Sequence, residues 1–155
     1  MRETITLTID PEYAGDLKKG YPLVLRKAVT DADMARLEEG DIIEVVDHHK
    51  RFIGKGYHGN QNKGIGWVLS TKEDQELDQA FFTKKINKAL ALRKDFFNDD
   101  DTNAFRVFNG EGDGIGGLTI DYFDGYYMMS WYSAGIYSFR EFVIEALTEL
   151  TQFHA

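Results

Sequence analysis

The stretch AFRVFNGEGDGIGGLTIDYF, residues 104–123, decides how the second half of the chain is read. Apolar and polar residues alternate on both sides of a cluster in which five of the eight residues from Gly110 to Gly117 are glycine. Alternation of period two predicts strands, and clustered glycine predicts a tight turn or a close backbone approach. The expected elements are strands at Phe105–Phe108, Leu118–Phe123 and, past the Asp124-Gly125 turn, Tyr126–Tyr132. Upstream, Leu77, Phe81, Ile86, Leu90, Leu92 and Phe96 fall near helical spacing, with Lys84, Lys85, Lys88, Arg93 and Lys94 between them. One long amphipathic helix is expected, about Leu77–Phe97, stopped by NDDDTN at 98–103. Downstream, Ser138–Leu150 reads as a helix with Ser138 as its cap. The second module is therefore helix, three strands, helix.

The first part of the chain is different in character. Short runs of alternating residues predict strands at Thr4–Ile9, Ile42–Val46, Arg51–His58 and Gly64–Ser70, and Tyr21–Arg26 reads as a turn into an extended piece. Asp10, Pro11 and Gly20 bracket a short helix at Glu12–Lys19. Asp31–Glu39 reads as either a short helix or an irregular segment. Short strands with little helix predict a small β-barrel, whose closure leaves few open edges. The expected class is α+β, with domains at residues 1–70 and 71–155.

Composition narrows the function. At 155 residues, 43% hydrophobic and without cysteine, the chain can bury a core but has neither thiolate metal sites nor a cysteine nucleophile. It contains no membrane-length apolar run, and MRETITLTID is not a targeting peptide, so a cytoplasmic location is expected. The net charge of −8 is unevenly spread. Residues 1–72 hold 11 basic and 11 acidic side chains, whereas residues 73–155 hold 7 and 15. From His48 to Lys72 there is no carboxylate, and a local field of this kind attracts phosphate whatever the total charge.

Several motifs have plain structural readings. GEGDG at 110–114 lies between strands rather than before a helix, and its acids repel phosphate, so a tight turn is expected. Asp99–Asp101 lacks the ligand spacing of a calcium loop, and His48-His49 face opposite ways in a strand, so no metal site is expected. Glu111, Asp113, Asp121 and Asp124 show no convergence on one cleft, and no catalytic residue is assigned. The patch worth following is His48–Lys72 with Tyr21, Arg26 and Lys27. Lys50, Arg51, Lys55 and Lys63 suit phosphates, Tyr57 and His58 offer faces to unpaired bases, and Asn60 suits base edges or ribose. The competing reading is structural: Phe52, Tyr57 and Trp67, set in the expected strands, more often fill a barrel core than stack a base. Arg106 and Asn109 are candidate donors to RNA or to a neighbouring domain, with Arg106 expected to be held by Asp121 or Glu111.

The segments GYPLVLR (20–26), GKGY (54–57), FRVFNGEGDG (105–114) and GLTID (117–121) together resemble the N-terminal region of the bacterial large-subunit rRNA cytosine-5 methyltransferase family. The resemblance implies a PUA domain over residues 1 to about 70. It further implies a small α/β linker domain of strand-strand-helix-strand-strand type, and a Rossmann-like S-adenosylmethionine domain lying beyond this chain. Structured rRNA is the implied partner, and S-adenosylmethionine the cofactor of the parent protein, with none bound here. This sequence departs from the family in having Gly66 where an arginine is common and Leu23 where a tryptophan is frequent. The competing reading, drawn from the acidic, aromatic second half, is a scaffold or homodimerisation module without RNA contact.

Overall fold

The computed structural model describes residues 2–151, which fall into two compact units. Of the described residues, the first comprises 2–75 with 133–138, the second 76–132 with 139–151.

The first unit is a five-stranded sheet in the order β1-β3-β4-β5-β2, formed by β1 (Thr4–Thr8), β2 (Leu23–Leu25), β3 (Ile42–Val46), β4 (Phe52–Gln61) and β5 (Gly64–Ser70). In β1 the threonines Thr4 and Thr6 are exposed while Ile5 and Leu7 are buried, as alternation requires. The parallel pairing of β1 with β3 needs a crossover, which α1 (Pro11–Lys18), β2 and α2 (Asp31–Met34) supply. Asp10 caps α1 by accepting from Glu12 N at 2.9 Å, and Pro11 occupies the first turn, where its missing N–H costs nothing. An isolated bridge, Ile9 to Val29, joins the continuations of the two edge strands and shields both edges. Ile5, Leu7, Val24, Ile43, Val45 and Ile65 fill the interior.

β4 and β5 approach unusually closely. A Cβ on Gly56 would fall on the carbonyl oxygen of Trp67, and one on Gly66 would stand 2.6 Å from the carbonyl oxygen of Tyr57. Register shifts at Lys55/Gly56 and at His58/Gln61 mark bulges that bend the pair. The segment 133–138 completes this unit. Its short helix α5 (Ala134–Tyr137), capped by Ser133, lies so close to β4 that a Cβ on Gly135 would meet the carbonyl of His58. Arg2 donates to Ser138 Oγ and O, both at 2.6 Å. Ser138 is thus engaged here and does not cap the last helix, α6, which begins at Arg140 (Arg140–Thr151).

In the second unit the expected long helix is broken. It runs as α3 (Gln79–Leu92), and Arg93, at φ −114° and ψ 10°, ends it before the short α4 (Lys94–Phe97). Breaking there turns Phe96 and Phe97 onto Phe105, with ring centroids 5.4 and 4.8 Å away. Three antiparallel strands follow, β6 (Ala104–Asn109), β7 (Leu118–Phe123) and β8 (Tyr126–Trp131), in that order across the sheet. Phe82 stacks on Phe139 and Phe142, each at 5.4 Å, tying α3 to α6. The order within the second unit is therefore helices, three strands, helix, the order read from the residues. It is not the strand-strand-helix-strand-strand order that the resemblance implies.

Gly56→Ala should lower stability by about 2 kcal/mol or more, because the methyl group forces β4 from β5. Gly112→Ala, whose added carbon would meet nothing nearer than Asn109 Nδ2 at 3.9 Å, should change it by less than about 0.5 kcal/mol. Chemical denaturation of the two variants side by side reads the contrast.

Candidate nucleic-acid interface

The edge strand β2 pairs with β5 through Leu23–Trp67 and Val24–Gly66. The 3-10 turn Arg26–Ala28 that follows is tied to the β4–β5 turn by a hydrogen bond from Arg26 N to Lys63 O, 2.9 Å. Asn62 in that turn takes φ 54°, a left-handed conformation that asparagine tolerates. Two adjoining grooves result. One, about 690 Å³, is lined by Tyr21, Leu23, Leu25 and Trp67 with Gln61, Asn62 and Lys63. The other, about 610 Å³, adds Arg26, Lys27, Val29 and Asp31 and shares Leu25, Asn62 and Lys63. Tyr21 is half exposed, so its ring is open to a stacking partner. Trp67 is 8% exposed and donates Nε1–H to Gln61 Oε1 at 3.2 Å, which serves the core and fixes the Gln61 amide together. Arg26, Lys27 and Lys63 are exposed. Arg26 Nη2 donates to Asn60 Oδ1 at 2.8 Å, and Lys27 Nζ lies 5.3 Å from the centre of the Tyr13 ring.

The structure thus brings together Tyr21, Arg26, Lys27, Asn60 and Lys63 and separates the remaining candidates from them. Tyr57 and His58 offer no face to a base, since they are 0% and 4% exposed. The Tyr57 hydroxyl bonds Ser133, and burial raises its pKa. His58 Nδ1 meets the carbonyl oxygen of Ile65. For Tyr57 the reason is the segment 133–138, which covers the side of β4 that strand alternation alone leaves to solvent, whereas His58 points to the opposite side of the strand. Lys50 and Arg51 lie in the β3–β4 turn, at the other end of the ten-residue β4 from Lys63, roughly 30 Å of extended strand away. Lys50 Nζ bonds Thr8 Oγ1 at 3.0 Å, and Arg51 stands beside Asp47. Lys55 is largely buried and 3.9 Å from Glu44.

In the second unit, Arg106 is held by Asp121 rather than by Glu111. Its Nε and Nη2 donate to the two carboxylate oxygens at 2.9 and 3.3 Å. The two residues are direct partners across β6 and β7, which makes the fork geometry available. The hydrogen bond and charge of Asp121 raise the guanidinium pKa further. Arg106 Nη1 also lies 3.5 Å from Asn109 Oδ1, while the backbone N–H of Asn109 donates to Asp113 at 2.6 Å. The glycine turn is a 3-10 turn between antiparallel strands, closed by Gly114 at φ 97°. Asp113 there also accepts two bonds from Arg93, at 2.9 and 3.2 Å. Such a turn does not fit the phosphate or methionine moiety of a nucleotide cofactor, which needs a strand, a glycine turn and a helix N-terminus in succession. Among the described residues no group of three or more His, Asp and Glu side chains is placed to hold a metal ion, and no helix is long and apolar enough to cross a membrane.

The sequence reading missed Leu23 and Leu25 as lining residues. It also missed Glu39, which accepts from Asn60 N at 3.0 Å and Nδ2 at 3.3 Å. No local signal marks either, because both depend on pairings between distant segments.

Asp47 supplies a pH signature. Lys18 Nζ at 2.9 Å, then the backbone N–H groups of Arg51 and His49, hold its carboxylate well below the ordinary range against the opposing effect of burial. A carboxylate depressed only in the folded state adds stability that is full above its unfolded pKa, about 4, and is lost as pH falls toward the folded value. The melting-temperature gap between the native chain and Asp47→Asn should therefore be widest near neutrality and close on acidification below about pH 4. Arg106→Ala, removing an exposed pair, should leave the melting temperature of this chain almost unchanged, and a large drop would show that the pair carries the hairpin.

Residues 7–71 match the family model described as a PUA-like domain. The chain is 46% identical over 145 residues to the Bacillus subtilis (strain 168) protein named "Putative ribosomal RNA large subunit methyltransferase YwbD", covering 93% of this chain and 36% of that protein. It is 32% identical over 142 residues to the ribosomal RNA large subunit methyltransferase I of Alteromonas mediterranea, covering 92% and 36%. A solved structure from Streptococcus mutans, described as "a putative sam-dependent methyltransferase", superposes with a TM-score of 0.84 at 29% identity, over 96% of this chain and 38% of that one. The crystal structure of SMU.776, "a putative methyltransferase complexed with SAH", gives 0.82 at 27% identity, over 97% and 38%. The chain thus spans about a third of the length of the curated relatives it matches. Its first unit carries a PUA-like domain, and nearly all of it is similar to part of the ribosomal RNA large subunit methyltransferases.

Proposed function

We propose that this chain is the RNA-recognition and positioning region of an S-adenosylmethionine-dependent methyltransferase that modifies a cytosine C5 of large-subunit rRNA. The observation that carries the reading is the double groove of the PUA-like unit, where exposed Arg26, Lys27 and Lys63 flank an apolar lining with one open aromatic ring. Cations placed along a groove suit phosphates, and a ring with neighbouring amides suits an unpaired nucleotide. The major-groove base edges of an A-form duplex lie too deep for side chains to read, and sequence-specific recognition targets unpaired bases, so a loop or bulge of a structured rRNA is the fitting ligand. In this proposal the groove supplies the contacts, Tyr21 and Asn60 among them, while Lys50, Arg51 and Lys55 lie outside it and take no part in binding. Arg106 and Asn109 present their side of the sheet to the rest of the parent protein.

Methylation at C5 requires a nucleophile to add at C6, and this chain contains no cysteine. The nucleophile and the S-adenosylmethionine site are accordingly assigned to the remainder of the parent protein, and the work is assigned to the cytoplasm, with the ribosome.

Titration of a labelled rRNA hairpin with an unpaired loop, at roughly 50 and 200 mM salt, tests the reading. Binding should weaken steeply between the two. Lys63→Ala should lower affinity and reduce the logarithmic salt slope by about 0.7–0.9, the signature of one lost phosphate contact, whereas Lys50→Ala should alter neither. No binding at low salt, or indifference to loss of both Arg26 and Lys63, would refute it.

A further inference from the structure

We propose that Glu39 is a positioning residue for RNA binding: it holds Asn60, and through Asn60 it aims the guanidinium of Arg26 for a phosphate. The inference rests on the reading of the groove as an RNA site. A single carboxylate oxygen, Glu39 Oε1, accepts both the backbone N–H of Asn60, at 3.0 Å, and its side-chain Nδ2, at 3.3 Å. An amide whose donor end faces a carboxylate has its oxygen turned the other way. There Asn60 Oδ1 accepts from Arg26 Nη2 at 2.8 Å. The acid, the amide and the guanidinium form a relay in which each group has one chemically sensible orientation.

Both ends of the relay are anchored. The other carboxylate oxygen of Glu39 lies 2.9 Å from where a Cβ on Gly135 would stand, so α5 backs it. At the far end, the Arg26 backbone is fixed by its bond to Lys63 O. A guanidinium carries five N–H donors, and the bond to Asn60 uses one, which leaves a fork for a phosphate. An untethered arginine must give up much side-chain freedom on binding. Orienting it beforehand removes part of that cost.

The sign of the effect separates positioning from plain electrostatics. Glu39 is an acid near a cationic groove, and Coulomb repulsion alone says that removing it strengthens RNA binding. The relay says that removing it weakens binding. In the full chain, with the same labelled rRNA hairpin, Glu39→Ala should lower affinity about three- to tenfold, and Asn60→Ala should do the same. Glu39→Gln, whose amide oxygen still accepts from Asn60, should stay within about twofold of the native chain. In an Arg26→Ala background, Glu39→Ala should cause no further loss. Thermal melts identify any variant that fails to fold, in which case Asn60→Ala and Glu39→Gln carry the comparison. Equal or tighter binding by Glu39→Ala overturns the proposal, as does a Glu39→Ala loss that persists in full without Arg26. If Arg26→Ala itself binds like the native chain while folded, the relay falls and the groove reading does not; only indifference to loss of both Arg26 and Lys63 overturns the groove.

Discussion

The first unit depends on how closely β4 and β5 can approach. Where Gly56 faces the Trp67 carbonyl there is no room for a single carbon, and Gly66 is pressed in the same way against the Tyr57 carbonyl. That approach, with the bulges beside it, bends both strands and brings the β4–β5 turn over β2. Lys63 and Gln61 gain their places from it, and Trp67 is left buried with its indole N–H aimed at Gln61. The constraint also explains a departure from the resembling family. An arginine at position 66 would need a Cβ 2.6 Å from a backbone oxygen and 2.8 Å from Ile43 Cδ1, so in this backbone the position admits only glycine. The positive character of the groove comes from the turns at its ends.

The second unit solves a different problem, a glycine-rich turn carrying two acids. A buried carboxylate is costly unless charge and hydrogen bonds compensate it. The Asp113 side chain is 7% exposed and receives both Arg93 bonds and the Asn109 N–H. The pair joins the turn to the end of α3, at the residue where the helix breaks. One arginine therefore ends a helix, neutralises a turn and sets the start of α4, whose two phenylalanines cover Phe105. The glycines serve that turn, and its acid is spent internally rather than offered to a ligand.

What the sequence disclosed follows from the range of the interactions involved. Ile42–Val46, Gly64–Ser70 and Leu118–Phe123 are strands with the expected bounds, because each is a short apolar-rich run set off by turn residues. The Arg106–Asp121 pair was legible for a related reason: a turn of estimable length sets the two residues opposite one another. The burial of Tyr57 was not, since its cover comes from 133–138, a segment that local pattern attaches to the other module. The break at Arg93 was hidden because the apolar stripe continues through it, and the deciding partner, Asp113, lies in another element. In the groove, charge revealed Arg26, Lys27 and Lys63, but Leu23, Leu25 and Glu39 acquire meaning only once β2 lies on β5 and Glu39 reaches Asn60.

Charge counting shows the same limit. The acid-free run from His48 to Lys72 weights all its cations equally, yet the fold does not. Arg51 stands against Asp47, and Lys55 against Glu44. Lys18, Arg93 and Arg106 are likewise paired with Asp47, Asp113 and Asp121. Among the described residues no ion pair involves Arg26, Lys27 or Lys63, and these three line the second groove together. A phosphate responds to charges within a Debye length, about 8 Å at physiological salt, and hardly to the molecular total. A net charge of −8 is therefore compatible with an anion-binding groove. Three cations without an ion-pair partner can act there because Asp31 is the one carboxylate in the lining.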